Sequence, residues 1–130
     1  MTVRVAALAI DCQDPARMAA WWAEVLGYTV GGAEGDEAWI QDPAGKRDDV
    51  LFLKVPETKS VKNRVHLDLR PSRTRDEEVE RVKALGATVL EGFGGDEATW
   101  IVLQDPEGNE FCILRGPEDP IPPDGQPVEA

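Results

Sequence analysis

Two stretches of the chain resemble each other, and this internal repeat restricts the fold more than any other feature of the sequence. Residues 26–45 read LGYTVGGAEGDEAWIQDPAG, and residues 85–108 read LGATVLEGFGGDEATWIVLQDPEG. The offset between matching residues is 59 at the opening Leu-Gly and 63 at the closing Asp-Pro, as expected when short insertions fall in loops. Only two copies are present, so the sequence predicts a duplicated half-domain rather than a repeat array.

Each copy predicts the same order of secondary structure. It begins with a short apolar run typical of a half-buried strand, at residues 3–10 and again at 63–70. A helical segment and three more strands follow each run; these later strands are predicted at 28–30, 38–41, 50–55, 88–91, 99–103 and 110–114. Asp-Pro-x-Gly suits a type I turn, so the last two strands of each copy form a hairpin. The fold class is therefore α+β, with two tandem βαβββ modules and the helices on one face of the sheet.

Capping residues mark the ends of both helices. In the first copy Asp14 can cap the helix, Pro15 suits its first turn, and Gly27 ends it. In the second copy Thr74-x-x-Glu is a capping box and Gly86 supplies the left-handed stop. Both helices are therefore predicted at matching places in the repeat.

The length of 130 residues suits one domain that can bury a core. We predict a domain over 1–115, with modules at about 3–56 and 63–115, followed by a Pro-rich acidic tail at 116–130 that is extended or disordered. A net charge of −11, from 14 basic and 25 acidic residues, argues against nucleic acid and membrane surfaces as partners. Two cysteines without CxxC spacing, and no secretory signal pattern, favour a cytoplasmic protein with reduced thiols.

Three motifs carry a resemblance to a known family. They are DPARMAAWWAEVLG after the first strand, RVHLDLRP in the second copy, and DPEGNEFCIL at its end. Together with the duplication, they resemble the vicinal oxygen chelate superfamily, and more narrowly its glyoxalase-like bacterial branch, over about residues 3–115. The resemblance implies a curved mixed sheet around a cavity, with the helices outside. It also implies a homodimer, with modules paired within or between chains, and a divalent metal held by four side chains, typically two His and two Glu.

Most of the metal-ligand positions that the resemblance implies hold other residue types here. His66 matches one ligand, but the repeat places Ala7 at its counterpart in the first module. The position of the second-module Glu holds Cys112, with Glu110 two residues away as a stand-in, and the last position falls on an apolar residue at 51–53. Zinc sites need at least three protein ligands. We therefore expect neither a metal nor another cofactor.

Alternation along RVHLDLR places His66, Asp68 and Arg70 on one strand face, which is predicted to line the cavity, and the apolar Val65, Leu67 and Leu69 on the other. A satisfied buried ion network of these three polar residues is the alternative. Small side chains such as Ala7 leave room for a ligand on the equivalent strand.

Further ligand contacts are predicted on the remaining strands. The repeat equivalents Trp39 and Trp100 are predicted to wall the cavity and stack on a planar ligand, although core packing is the alternative. Cys112 is predicted beside the ligand, as a thiol or simply as a small apolar residue. The basic stretch at 54–64 is either an anion contact or a solvated linker.

Three functions follow from this pattern. In the first, the protein binds a small organic molecule without the four-ligand metal, either sequestering it or transferring a proton through His66, which Asp68 or Glu110 orients. In the second, it is a metal-dependent lyase, isomerase or dioxygenase that uses His66, Glu110 or Cys112 with water. In the third, it is a non-catalytic dimeric interaction module.

Overall fold

The computed structural model describes residues 1–90 and 100–120. The chain forms two compact units, Met1–Lys59 and Ser60–Ala130, which correspond to the two copies of the repeat. Among the described residues, no helix combines the length and the apolar composition needed to cross a bilayer.

The first unit contains one helix and a four-stranded sheet. Its elements are β1 (Ala7–Cys12), α1 (Pro15–Leu26), β2 (Thr29–Glu34), β3 (Glu37–Gln41) and β4 (Asp49–Lys54). The strand order is β1-β4-β3-β2, in which β1 is parallel to β4 and the other neighbours are antiparallel. The unit is therefore a βαβββ module with its first strand at a sheet edge.

The second unit repeats this topology. Its elements are β5 (Asp68–Leu69), α2 (Arg75–Leu85), β6 (Thr88–Val89), β7 (Trp100–Gln104) and β8 (Glu110–Leu114). The order β5-β8-β7-β6 matches the first sheet, again with one parallel pair. The predicted α+β fold of two βαβββ modules is confirmed. Positions 91 and 99 of the predicted strands, and residues 121–130 of the predicted tail, lie outside the described residues.

Both helices begin and end where the capping residues predict. The Asp14 carboxylate accepts a hydrogen bond from the Arg17 backbone N–H, and Gly27 ends α1 with a left-handed φ of 70°. The Thr74 hydroxyl caps α2, and Gly86 ends it with a φ of 118°. Local sequence therefore sets the length of each helix.

Alternate strand residues form the core of each unit. In the first unit Ile40 and Phe52 are fully buried on the sheet, as are Met18 and Trp22 of α1. In the second unit the fully buried strand residues include Leu103, Phe111 and Ile113, and α2 contributes Val82. One face of each sheet thus packs against its helix, and the residues between these positions belong to the opposite face.

The first strand of each unit differs from its prediction. The apolar runs predicted strands at 3–10 and 63–70, but β1 begins at Ala7 and β5 contains only Asp68 and Leu69. Val65, predicted on the apolar helix-facing side, is 78% exposed. An edge strand extends only as far as its single partner strand pairs with it, and β8 pairs with just these two residues of β5.

The strand register also corrects the predicted equivalence of Trp39 and Trp100. Trp39 lies opposite Leu51, whereas Trp100 lies opposite Leu114. Thr29 pairs with Gln41, and its repeat counterpart Thr88 pairs with Gln104. Gln41 and Gln104 are 63 positions apart, which is the offset of the Asp-Pro turn, so the same offset applies along the whole of β3 and β7. An insertion inside a strand would disrupt its ladder. The extra residues therefore precede β7, and the counterpart of Trp39 is Val102.

Candidate functional site

The second unit contains a cavity of about 280 Å³ on the sheet face opposite α2. Its lining residues come from the segment before β5, from β5 itself, and from β7 and β8; they are Lys62, His66, Asp68, Trp100, Val102, Glu110 and Cys112. Strand register brings the central ones together, because Cys112 pairs with Asp68 on one side and with Val102 on the other. The cavity volume lies near the lower end of the roughly 300–1,000 Å³ usual for ligand pockets, so it suits a small ligand.

Three of the polar side chains that line this cavity form a close cluster. His66 Nδ1 lies 3.3 Å from Asp68 Oδ1, and the ligand atoms of His66, Asp68 and Cys112 all lie within 4.8 Å of one another. The side chains of His66 and Asp68 are 37% and 52% exposed, so the pair is open to solvent. The structure therefore brings together three residues that the sequence predicted to lie beside the ligand.

The Asp68 carboxylate determines the hydrogen-bonding state of its two neighbours. A carboxylate accepts hydrogen bonds only, so the neutral His66 ring donates Nδ1–H to Asp68 and leaves Nε2 as an acceptor. Burial, together with the charge of Asp68 and a hydrogen bond to it, raises the pKa of the Cys112 thiol to about 11. At neutral pH Cys112 is therefore a protonated thiol. In this cluster, Nε2 of a neutral His66 ring is the atom that can accept a proton.

Glu110 lies at the start of β8 and is 7% exposed. Its Oε1 accepts a hydrogen bond from the Asn63 backbone N–H at 2.8 Å, and its Oε2 lies 3.4 Å from Gln104 Nε2. Both carboxylate oxygens thus have donors within the protein. The sequence suggested Glu110 as a stand-in ligand near Cys112 or as a group that orients His66, but contained no sign of its bond to residue 63.

The two tryptophans have different surroundings. Trp100 lines the cavity of the second unit and is 47% exposed. Trp39 lies over the two glycines of β2: a Cβ atom on Gly31 would be 2.5 Å from its indole ring, and one on Gly32 2.6 Å away. Trp39 therefore packs on its own sheet, while Trp100 presents a surface on which a planar ligand can stack.

The remaining predicted site residues are not among the residues that line this cavity. The Arg70 guanidinium donates to the Arg115 carbonyl at 2.7 Å and is not among the lining residues. The predicted buried network of His66, Asp68 and Arg70 is therefore reduced to an exposed His66–Asp68 pair. Ala7 pairs with Asp49 in the first unit. A ligand-contacting role for Ala7 and for Trp39 stays a prediction.

The donor set does not match a site of two His and two Glu. Register now selects Leu51 from the three apolar candidates at 51–53, because Leu51 pairs with Ala9 as Cys112 pairs with Asp68. Leu51 and Ala7 offer no ligand atom, and the second-module Glu position holds a thiol that donates to Asp68. Among the described residues, the three donors of the cluster are the ones close enough to share a metal ion.

Two lining residues were not selected by sequence reasoning. Lys62 lies in the basic stretch at 54–64, and this charge pattern was the only sequence signal that Lys62 could contact a ligand. Val102 was missed because matching residue types between the two copies aligns Trp39 with Trp100, whereas the strand register aligns Trp39 with Val102. A repeat alignment anchored on the Asp-Pro turn instead of on the tryptophans would have found Val102.

Solved structures share this arrangement of two βαβββ modules. A hypothetical protein from Staphylococcus aureus, SA1046, superposes with a TM-score of 0.67 at 17% identity, covering 88% of this chain and 95% of its own. A glyoxalase/bleomycin resistance/dioxygenase family enzyme from Burkholderia phytofirmans PsJN gives 0.65 at 21% identity, with coverages of 83% and 94%. The fosfomycin resistance protein FosX of Listeria monocytogenes, complexed with Mn(II) and sulfate, gives 0.70 at 17% identity, with coverages of 89% and 92%.

These likenesses show that the chain has the fold of these proteins, with two βαβββ modules in tandem. The sequence model of the Glyoxalase-like domain matches residues 7–114, and the chain therefore belongs to the glyoxalase-like family, as the motifs predicted. No curated protein matches the chain in sequence. Identities near 20% establish the fold alone, so activity must be argued from the site.

Proposed function

We propose that the protein binds a small organic molecule in the cavity of the second unit, and that His66, oriented by Asp68, exchanges a proton with it. The observation that carries the proposal is the 3.3 Å contact between His66 Nδ1 and Asp68 in an open cavity. A carboxylate at Nδ1 fixes the tautomer and leaves Nε2 as the acceptor, which is the usual arrangement of a general base.

The cavity lining indicates what kind of molecule this is. Trp100 and Val102 offer apolar surface, and Lys62 adds a positive charge at the same cavity. An organic compound with one planar ring and an acidic group matches these features, since aromatic stacking and an ammonium contact act on different parts of it. Proton transfer and simple sequestration of such a compound both use this lining.

The proposal excludes the four-ligand metal, because two of its positions hold residues without ligand atoms and a third holds a protonated thiol. No step of the proposed chemistry uses a metal. His66, Asp68 and Cys112 nevertheless make a metal-dependent lyase, isomerase or dioxygenase the second candidate, since three protein ligands plus water are enough for a catalytic zinc site. A homodimer and a cytoplasmic location stay predictions.

The test is a binding screen of single-ring aromatic carboxylates, followed by NMR of the labelled protein. We expect the perturbed signals to cluster at Asp68, Cys112 and the Trp100 indole. His66→Ala and Trp100→Ala should each weaken binding at least tenfold. Trp21→Phe, which changes a tryptophan of α1 in the first unit, is the matched control and should leave affinity within twofold.

Two results would overturn the proposal. One is a screen in which no compound perturbs the cavity residues, or in which the perturbations survive His66→Ala. The other is stoichiometric, micromolar binding of Ni²⁺, Zn²⁺, Mn²⁺ or Fe²⁺ to the wild-type protein that disappears in His66→Ala. The second result would replace the proposal with the metal-dependent candidate.

A further inference from the structure

His66 lies outside regular secondary structure. β5 begins only at Asp68, and the last backbone bond between the preceding segment and β8 runs from the Cys112 N–H to the Leu67 carbonyl, at 2.8 Å. A functional side chain needs a fixed backbone, because a displacement of about 1 Å can cost roughly a hundredfold in rate. The segment that carries His66 therefore needs another attachment point.

Glu110 provides that attachment. Its Oε1 accepts the Asn63 N–H at 2.8 Å, across 47 positions of sequence, and its side chain is almost completely buried. His66 lies between this bond at residue 63 and the backbone bond at residue 67. The carboxylate thus fastens the segment to β8 where the strand ladder does not, and charge-assisted hydrogen bonds of this kind are roughly twice as strong as neutral ones.

At the equivalent position of the first unit, strand pairing takes the place of this side-chain attachment. Asp49 begins β4 as Glu110 begins β8, and it pairs by register with Ala7 of β1. The matching pair in the second unit, His66 and Glu110, is absent from the strand register. At this position the first unit is held by strand pairing, whereas in the second unit the Glu110 side chain attaches the segment to β8.

We propose that Glu110 is the positioning residue of the site, and that its carboxylate holds the 63–67 segment so that His66 Nδ1 stays at Asp68. This inference rests on the proposed function, because it assigns Glu110 a role in preparing His66 rather than in proton transfer. Its bonds to Asn63 and Gln104 direct both carboxylate oxygens toward protein donors. Glu110 acts through His66.

The test compares Glu110→Ala with Glu110→Gln. The glutamine carbonyl can still accept the Asn63 N–H, whereas alanine removes the acceptor. In Glu110→Ala we expect amide exchange at Asn63 at least tenfold faster than in wild type. We also expect the ¹⁵N shifts of the His66 ring to change from one tautomer to a mixture. Glu110→Gln should keep both properties within about twofold of wild type. Asp49→Ala is the matched control in the other unit and should change neither.

A second pair of variants keeps the proposal falsifiable if Glu110→Ala fails to fold. Asn63→Pro removes the donated N–H while leaving Glu110 in place, and Asn63→Ala retains it. The proline variant should show the mixed tautomer of His66, and the alanine variant should not. A single, unchanged His66 tautomer in Glu110→Ala or in Asn63→Pro overturns the proposal.

The readouts also separate this inference from the proposed function. Exchange at Asn63 and the tautomer of His66 are measured on the free protein, so they decide the role of Glu110 even if no aromatic carboxylate binds. Where one does bind, Glu110→Ala should weaken it at least fivefold and Glu110→Gln should not. A failed binding screen with a Glu110-dependent His66 tautomer would overturn the proposed function and retain the positioning role.

Discussion

The two units share one topology but differ in chemistry on the sheet face opposite the helix. Equivalent positions on the helix side are apolar in both units, as with Phe52 and Ile113, which are both fully buried. On the opposite face, the first unit has Ala7, Ala9, Trp39 and Leu51 where the second has His66, Asp68, Val102 and Cys112. Packing against the helix restricts one face in both copies, while the other face can change in one copy alone.

The largest effects on stability are expected on the sheet face that packs against the helix, which is apolar in both units. Phe52→Ala should lower the free energy of unfolding by about 3–5 kcal/mol, and Ile113→Ala by about 2–5 kcal/mol, because each leaves a cavity at a fully buried position. Urea unfolding followed by circular dichroism measures both values. A loss below about 1 kcal/mol for either variant would show that the two cores are not equivalent.

The two tryptophans test the opposite sheet face, on which the residue types of the two units differ. Trp39→Ala should destabilise the protein by about 2 kcal/mol, since the indole covers Gly31 and Gly32 and glycine leaves nothing else to fill that surface. Trp100→Ala should cost less than about 1 kcal/mol, because the ring is nearly half exposed. Thermal unfolding of the two variants decides between a structural and a ligand-binding tryptophan. Equal losses would contradict the division of roles.

Much of the fold could be predicted from sequence because its signals are local. Asp14, Thr74, Gly27 and Gly86 each act within one turn of a helix, and all four cap as expected. The Asp-Pro turns likewise act within a few residues. His66, Asp68 and Cys112 could be selected because period-2 alternation places strand residues on a known face.

The errors have a different origin, since they depend on pairing between distant residues. The length of β5 is set by β8, some 40 residues away, and not by its own apolar run. Register decided the partner of Trp39, and the sequence letters around the two tryptophans pointed to the wrong one. The bond from Asn63 to Glu110 involves a backbone N–H, which carries no sequence signal.

Cys112 should react more slowly than a free thiol because burial and the neighbouring Asp68 raise its pKa to about 11. Since the folded-state pKa lies above the 9.0 of an unperturbed thiol, protonation of Cys112 favours the folded state. The associated stability is complete below pH 9 and is lost as the pH rises toward 11.

Asp68→Asn removes one cause of this shift, although burial remains the main one. The variant should therefore increase the iodoacetamide labelling rate of Cys112 at pH 9, as measured by peptide mass spectrometry. Cys12 of the first unit is also buried and serves as the internal control, with an unchanged rate. A labelling rate for Cys112 that does not respond to Asp68→Asn would contradict the thiol-to-carboxylate bond.

The smallest difference between the units is expected at the helix starts. Asp14→Ala should cost about 1 kcal/mol, since it removes the acceptor of the Arg17 N–H. Thr74→Ala should cost less, about 0.5 kcal/mol, because Asp119 separately accepts the Arg75 N–H at 2.9 Å and supports the same turn of α2.

Combining Thr74→Ala with Asp119→Ala removes both acceptors and should bring the loss to at least that of Asp14→Ala. Asp119 also accepts the Gly116 N–H, so the double variant loosens the chain that follows β8 as well as the helix. Chemical denaturation of the single and double variants measures the coupling. Strictly additive losses would show that Asp119 does not compensate for Thr74.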